Sequence, residues 1–275
     1  MRPARLTRSA DRLAVVLVAH GSRDPRAAAS TEALARAVRR ARPAWDVHAS
    51  FLDHAGPRPL DVLASLPGRR AVVVPLLLTE AYHGRVDIPA VLAEAAALPI
   101  DVRLSDVLGP SPLAPTRAVP DALLDGLVRH LDAAGETHVG PAHVGAAHVG
   151  PDRARLDAVV LAAAGTRDAA ARETISWAAD ALSARLGVPC VAAYASGAQP
   201  DPGVAVGLLR ASGSRRVGMA AYFLAPGFLY DLAVHTAREA GAVTVADPLG
   251  DAPELVRLVA SRVLAATGRA LPAAA

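Results

Sequence analysis

The patterned part of the chain begins with a continuous apolar run, Leu13–Ala19 (LAVVLVA), that ends at a His-Gly turn. Such a run, β-branched and without polar alternation, predicts a strand covered on both faces. From Arg26 to Arg42 apolar residues recur at helical spacing, with arginines on the other face, and predict an amphipathic helix. Val47–Leu52 reads as a second strand, Pro59–Leu66 as a short helix and Ala71–Leu78 (AVVVPLLL) as a third strand, with Pro75 interrupting its donor ladder. Asp87-Ile88-Pro89 has the form of a helix start, with Asp87 as the cap and Pro inside the first turn of a helix to about Leu98. A strand over Ile100–Ser105 and a helix from about Pro120 to Ala133 follow. Strands alternating with helices in this way predict a doubly wound parallel sheet of the α/β class.

The same pattern then returns. VVLVAHGSRDPRA (Val15–Ala27) aligns with VVLAAAGTRDAAA (Val159–Ala171), identical at eight of thirteen positions. FLDHAGPRP (Phe51–Pro59) lies over YASGAQPDP (Tyr194–Pro202), RRAVVVPLLL over RRVGMAAYFL, and DVLG over DPLG. The four matches are collinear and offset by 141 to 146 residues. They predict two tandem flavodoxin-like α/β domains, one over residues 1–136 and the other over 155–275. Residues 137–154 form a His/Gly/Pro linker carrying His138, His143 and His148. A spacing of five keeps these imidazoles off a common helix face, so a flexible linker is set against a weak metal-collecting tract.

Composition narrows the function. Apolar residues make up 52% of the 275, aromatic residues 3%, and the net charge is only +3, which excludes general disorder. All 29 basic side chains are Arg, with no Lys present, so the basic balance reflects residue usage. Nucleic-acid binding would call for a basic stripe with stacking aromatics, and the sequence has neither. The single cysteine, Cys190, excludes an internal disulfide and a cysteine zinc site, and reads as a small buried hydrophobe. The basic segment before Leu13 leads into an apolar run too short for a secretory core or a membrane span, which predicts a cytoplasmic, soluble protein. No phosphate-loop or dinucleotide fingerprint accompanies the Gly21 turn, and no nucleophile elbow is present.

In an open parallel sheet, ligands bind beyond the carboxyl ends of the strands. His20 ends the first strand and His83 follows the third, so the fold brings both turns to one rim. The matching positions of the second half are Ala164 and Leu229, although Gly165, Arg167 and Asp168 are kept beside the first of them. Histidines required for folding would be required twice, so their presence in one half only marks them as functional. Two imidazoles offer a divalent first-row metal a weak seat and accept protons near neutral pH.

V-A-H-G-S-R-D at the first strand, F-L-D at the second and P-L-L-L…H…D-I-P after the third together resemble the sirohydrochlorin chelatases, over nearly the whole chain. Long members of that class II chelatase family are fused tandem copies, and short ones are homodimers. The resemblance implies insertion of Fe2+ or Co2+, as substrate, into sirohydrochlorin in siroheme or cobalamin biosynthesis, without ATP or any nucleotide. It implies a tetrapyrrole held in a cleft between two lobes, with His20 and His83 delivering metal and accepting protons. Glu80 would help hold the metal, or else is a surface carboxylate. Ser22, Arg23 and Arg85 would meet the substrate and its carboxylates, as Arg26 also could; Ser22 could equally cap the following helix. A fused pair completes the cleft in one chain, so a monomer suffices and a dimer stays open. The rival expectations are a ferrochelatase acting on a later haem precursor and a non-catalytic metal- or tetrapyrrole-binding module.

Overall fold

The computed structural model describes residues 12–66, 70–79, 87–112, 116–137 and 156–268. Two four-stranded parallel sheets are present among them, each flanked by helices, as the alternating pattern predicts. In the first, β1 (Leu13–Ala19) pairs with both β2 (Trp45–Phe51) and β3 (Arg70–Pro75), and β4 (Asp101–Leu104) adds to β3, giving the order β2-β1-β3-β4. Register places Val16 between His48 and Val73. The second sheet has the equivalent order β6-β5-β7-β8, from β5 (Ala158–Ala163), β6 (Cys190–Tyr194), β7 (Val217–Tyr222) and β8 (Thr244–Val245). The central strands are the unbroken apolar runs because both faces are covered: every residue from Ala14 to Val18 and from Ala158 to Ala163 is buried.

The helices are α1 (Pro25–Ala41), α2 (Pro59–Ala64), α3 (Ile88–Ala95), α4 (Asp121–Thr137), α5 (Ala169–Leu186), α6 (Pro202–Ala211), α7 (Phe228–Glu239) and α8 (Pro253–Thr267). Their starts are chemically marked. Asp24 caps α1 by accepting from the Arg26 amide, and Asp168 caps α5 by accepting from the Ala171 amide at 2.9 Å. Asp168→Ala should cost about 1 kcal/mol in equilibrium urea unfolding, since it orphans a helix-start amide; an unchanged midpoint would show the cap to be idle. Asp87 departs from its expected role. It precedes α3, but its backbone is helical (φ −72°, ψ −42°) and its side chain makes no capping hydrogen bond. The expected strand over Ala71–Leu78 also stops early, at Pro75. Past that residue the chain turns, held by the Leu76 amide donating to the Val18 carbonyl at 2.8 Å. Helix α3 ends at Ala95, short of Leu98, whose amide closes a tighter turn onto the Ala95 carbonyl at 3.0 Å.

Two compact units form, but they are drawn differently from the division read off the sequence. Unit 1 comprises Met1–Ser111 with Gly250–Ala275, and unit 2 comprises Pro112–Leu249. Helix α4, which follows the first sheet in sequence, therefore belongs to unit 2, where it packs on β7, β8 and α5. Helix α8 belongs to unit 1, against α1, β3 and β4. The apolar stripe Leu123, Leu124, Leu127 and Leu131 is buried in α4, and Leu255, Leu258, Val259 and Val263 are buried in α8. Polar anchors reinforce each placement. Arg185 of α5 meets Asp121 at 3.1 Å and Asp125 at 2.9 Å. In unit 1, Arg262 of α8 donates to the Leu108 and Gly109 carbonyls at 3.4 and 3.3 Å. The hydrophobic pattern could not reveal this arrangement. A helix with one apolar stripe satisfies either of two equivalent sheets, and the choice is made by the connections.

Candidate active site

The carboxyl ends of β1 and β2 meet at two stitched turns. The Leu52 amide donates to the Ala19 carbonyl at 3.0 Å and the Asp53 amide to the His20 carbonyl at 2.8 Å. Gly21 makes this closeness possible. Its φ is +95°, and a Cβ there would lie 1.8 Å from the Asp53 carbonyl oxygen. The turn thus delivers His20 to the rim with its side chain exposed, where the sequence placed it.

Beside His20 stands a residue the sequence reading passed over. The ring of His54 lies 6.5 Å from that of His20, centre to centre, at an interplanar angle of 82°. His54 Nε2 is 3.5 Å from Asp53 Oδ2, and the His54 amide donates to Asp53 Oδ1 at 2.8 Å. Arg58 approaches the same carboxylate at 3.6 Å. The His54 amide is the main cause holding the Asp53 carboxyl below its ordinary range; desolvation opposes it, and the charges of His54, Arg58 and His20 each add a smaller lowering. A carboxylate that stays ionised beside two imidazoles makes the rim of unit 1 receptive to a cation.

The remaining candidates divide. Ser22 Oγ accepts from the Asp24 amide at 3.1 Å, and Thr166 Oγ1 does the same for Asp168 at 3.1 Å in the other half. That bond shapes the turn in both halves. Arg23 is exposed at the turn. Arg26 grips Asp24 through Nε and Nη2, at 3.0 and 2.6 Å to Oδ2, and holds that carboxyl below its ordinary range. Glu80, His83 and Arg85 lie outside the described residues, as do His138, His143 and His148. The chain reaches Thr79 at this same edge. There Leu77 O accepts from the Leu108 and Gly109 amides at 2.9 and 3.3 Å. Cys190 is no candidate: burial pushes its thiol up to about 12, so no thiolate forms near neutrality. Among the described residues no three His, Cys, Asp or Glu side chains are grouped to hold a metal ion, and no helix is long and apolar enough to cross a membrane.

The equivalent rim of unit 2 has the same backbone and none of this chemistry. Gly165 has φ +96°, and its Cβ would lie 1.8 Å from the Ser196 carbonyl oxygen. The Ser196 amide donates to the Ala164 carbonyl at 3.0 Å. Ala164, Ser196 and Gly197 stand where unit 1 has His20, Asp53 and His54.

Two parallel α/β sheets of one topology, with imidazoles on the rim of only one of them, define a two-domain chelatase-like protein. The CbiX family model matches residues 14–118 and again 158–266, and the chain belongs to the CbiX family of chelatases. Solved structures share its fold. SirB from Bacillus subtilis, in a structure with Fe3+, is 16% identical with a TM-score of 0.70, over 94% of this chain and 96% of that one. Sirohydrochlorin chelatase SirB from Bacillus subtilis subspecies spizizenii, in complex with cobalt, is 19% identical with a TM-score of 0.67, over 94% and 96%. CbiX, described as the terminal enzyme of siroheme biosynthesis in denitrifying bacteria, is 20% identical with a TM-score of 0.61, over 93% and 99%. No curated protein matches the chain.

Proposed function

We propose that the chain inserts Fe2+ or Co2+ into sirohydrochlorin, with no nucleotide consumed. The observation that carries this reading is the one-sided rim: one family matches both halves, yet the position matching His20 in the other half is Ala164. The similar SirB structures, with Fe3+ and with cobalt, support the two metals named.

In the reaction a divalent ion replaces two pyrrole N–H protons, so two protons leave for each metal that enters. His20 and His83 are the proton acceptors in this reading, and pass the protons on to water. Neutral imidazole also binds first-row divalent ions without the closed coordination of a structural site, so the ion remains transferable. Glu80 assists in holding the ion. Arg23 and Arg85 engage the macrocycle's peripheral carboxylates, for which the guanidinium fork is suited, and Ser22 lies at the same turn.

Anaerobic incubation of protein with sirohydrochlorin and Fe2+ or Co2+, followed by visible absorption, tests the proposal. Catalytic loss of the metal-free spectrum beyond the protein-free control is the expected result. His138→Ala should leave that rate unchanged. A single spectral shift in proportion to protein, without turnover, would identify a binding module and overturn the reading. Turnover with a later haem precursor in place of sirohydrochlorin would identify a different macrocycle.

A further inference from the structure

His54 has φ +60°, the one non-glycine residue with positive φ among those described. Side chains with a Cβ are uncommon in this left-handed region, His being among the better tolerated, and the non-glycine residues found there cluster at functional sites. The matched loop of the other half makes the comparison direct: FLDHAGPRP lies over YASGAQPDP, and the residue opposite His54 is Gly197, with φ +72°. The two loops follow the same backbone course, and one of them uses the residue that follows it without strain. The other carries an imidazole at that point. A Cβ on Gly197 would have no heavy atom closer than 3.5 Å, so the loop itself does not demand glycine for space. What distinguishes the halves is the side chain.

That side chain is aimed at a partner. The His54 ring stands edge to face against His20 at 6.5 Å, is 34% exposed, and has the Asp53 carboxylate at 3.5 Å. Two imidazoles bound to one ion through nitrogens at about 2.1 Å have ring centres roughly 5 to 6.5 Å apart, depending on the angle at the metal. The observed pair, at 6.5 Å, is at the open, near-linear end of that range. Neither imidazole has an equivalent in unit 2, where Ala164 and Gly197 stand.

We propose that His54 and His20 form a two-imidazole seat for a divalent first-row metal ion on the rim of unit 1, the shared left-handed loop presenting the His54 ring to it. The inference rests on the chelatase reading for its role, since an ion seated there waits beside the macrocycle. Its binding chemistry stands apart from turnover.

The test is a double-mutant cycle read by Co2+ titration of the full chain without macrocycle, with His138, His143 and His148 replaced by alanine so that linker imidazoles are not counted. His54→Gly and His54→Asn both accept the left-handed backbone and both remove the ring. Each should weaken Co2+ binding about tenfold or more. With His20→Ala already present, His54→Gly should weaken it no further, because the shared ion is already lost. Affinity within twofold of the parent in His54→Gly would overturn the proposal. So would a loss that multiplies fully with that of His20→Ala. Absence of turnover with normal Co2+ behaviour would instead count against the chelatase reading alone.

Discussion

Gly21→Ala is expected to destabilise the protein by about 3 to 5 kcal/mol, through a steric clash added to backbone strain. The introduced Cβ would fall 1.8 Å from the Asp53 carbonyl oxygen. Relief by sliding the two turns apart would break the Asp53 amide's bond to the His20 carbonyl, 2.8 Å in the folded protein. Relief by changing φ is blocked as well, because +95° is what turns the chain from β1 toward α1. Urea unfolding of the variant measures the loss, with Gly165→Ala as its counterpart in the other half. Gly165 has φ +96° and the same 1.8 Å approach, to Ser196, so the two losses should be of similar size. A loss below about 1 kcal/mol in both would mean the turns open more readily than their hydrogen bonds indicate.

His20→Ala is expected to lower the rate of metal insertion at least about a hundredfold, the usual contribution of a positioned proton acceptor. Stability should be unaffected, since the side chain is exposed and alanine already occupies the matched turn as Ala164. That contrast with Gly21→Ala separates the scaffold of the rim from its chemistry. His83→Ala should reduce the rate comparably. The anaerobic spectral assay gives the rates, and urea midpoints verify folding. Activity within threefold of the parent in both variants would remove the imidazole pair from the mechanism.

The central strands were legible because burial on both faces leaves no polar alternation: Leu13–Ala19 matches β1 at both ends. The third strand was legible in place but not in length. Its apolar run continues through Leu78, yet the strand ends at Pro75, and beyond it the Leu76 amide bonds to Val18 while the Leu77 carbonyl accepts from Leu108 and Gly109. Asp87 had the composition of a cap and lacked its geometry, which depends on a non-helical backbone that no sequence pattern specifies. His20 was legible through its counterpart Ala164, and the same comparison contained His54 opposite Gly197. The signal there was a histidine where its repeat has glycine, and the left-handed φ at both positions is visible only in the structure. Ser22 was ambiguous because hydroxyls at turns serve backbone and ligand alike, and the matching Thr166 shows the backbone role.

The allocation of α4 and α8 sets an order of events in synthesis. Unit 1 needs Gly250–Ala275, which the ribosome makes only after all of unit 2. At about 5–20 residues per second, the apolar faces of α1 and β3 that receive α8 wait on the order of ten seconds or longer for their cover. Helix α4 emerges with its leucine stripe before the sheet it will cover exists. The half that bears the histidines therefore cannot finish folding first. Cutting the chain between α4 and β5 would leave each fragment holding the helix that covers the other's sheet in the intact chain, so the two would regain native packing only by exchange.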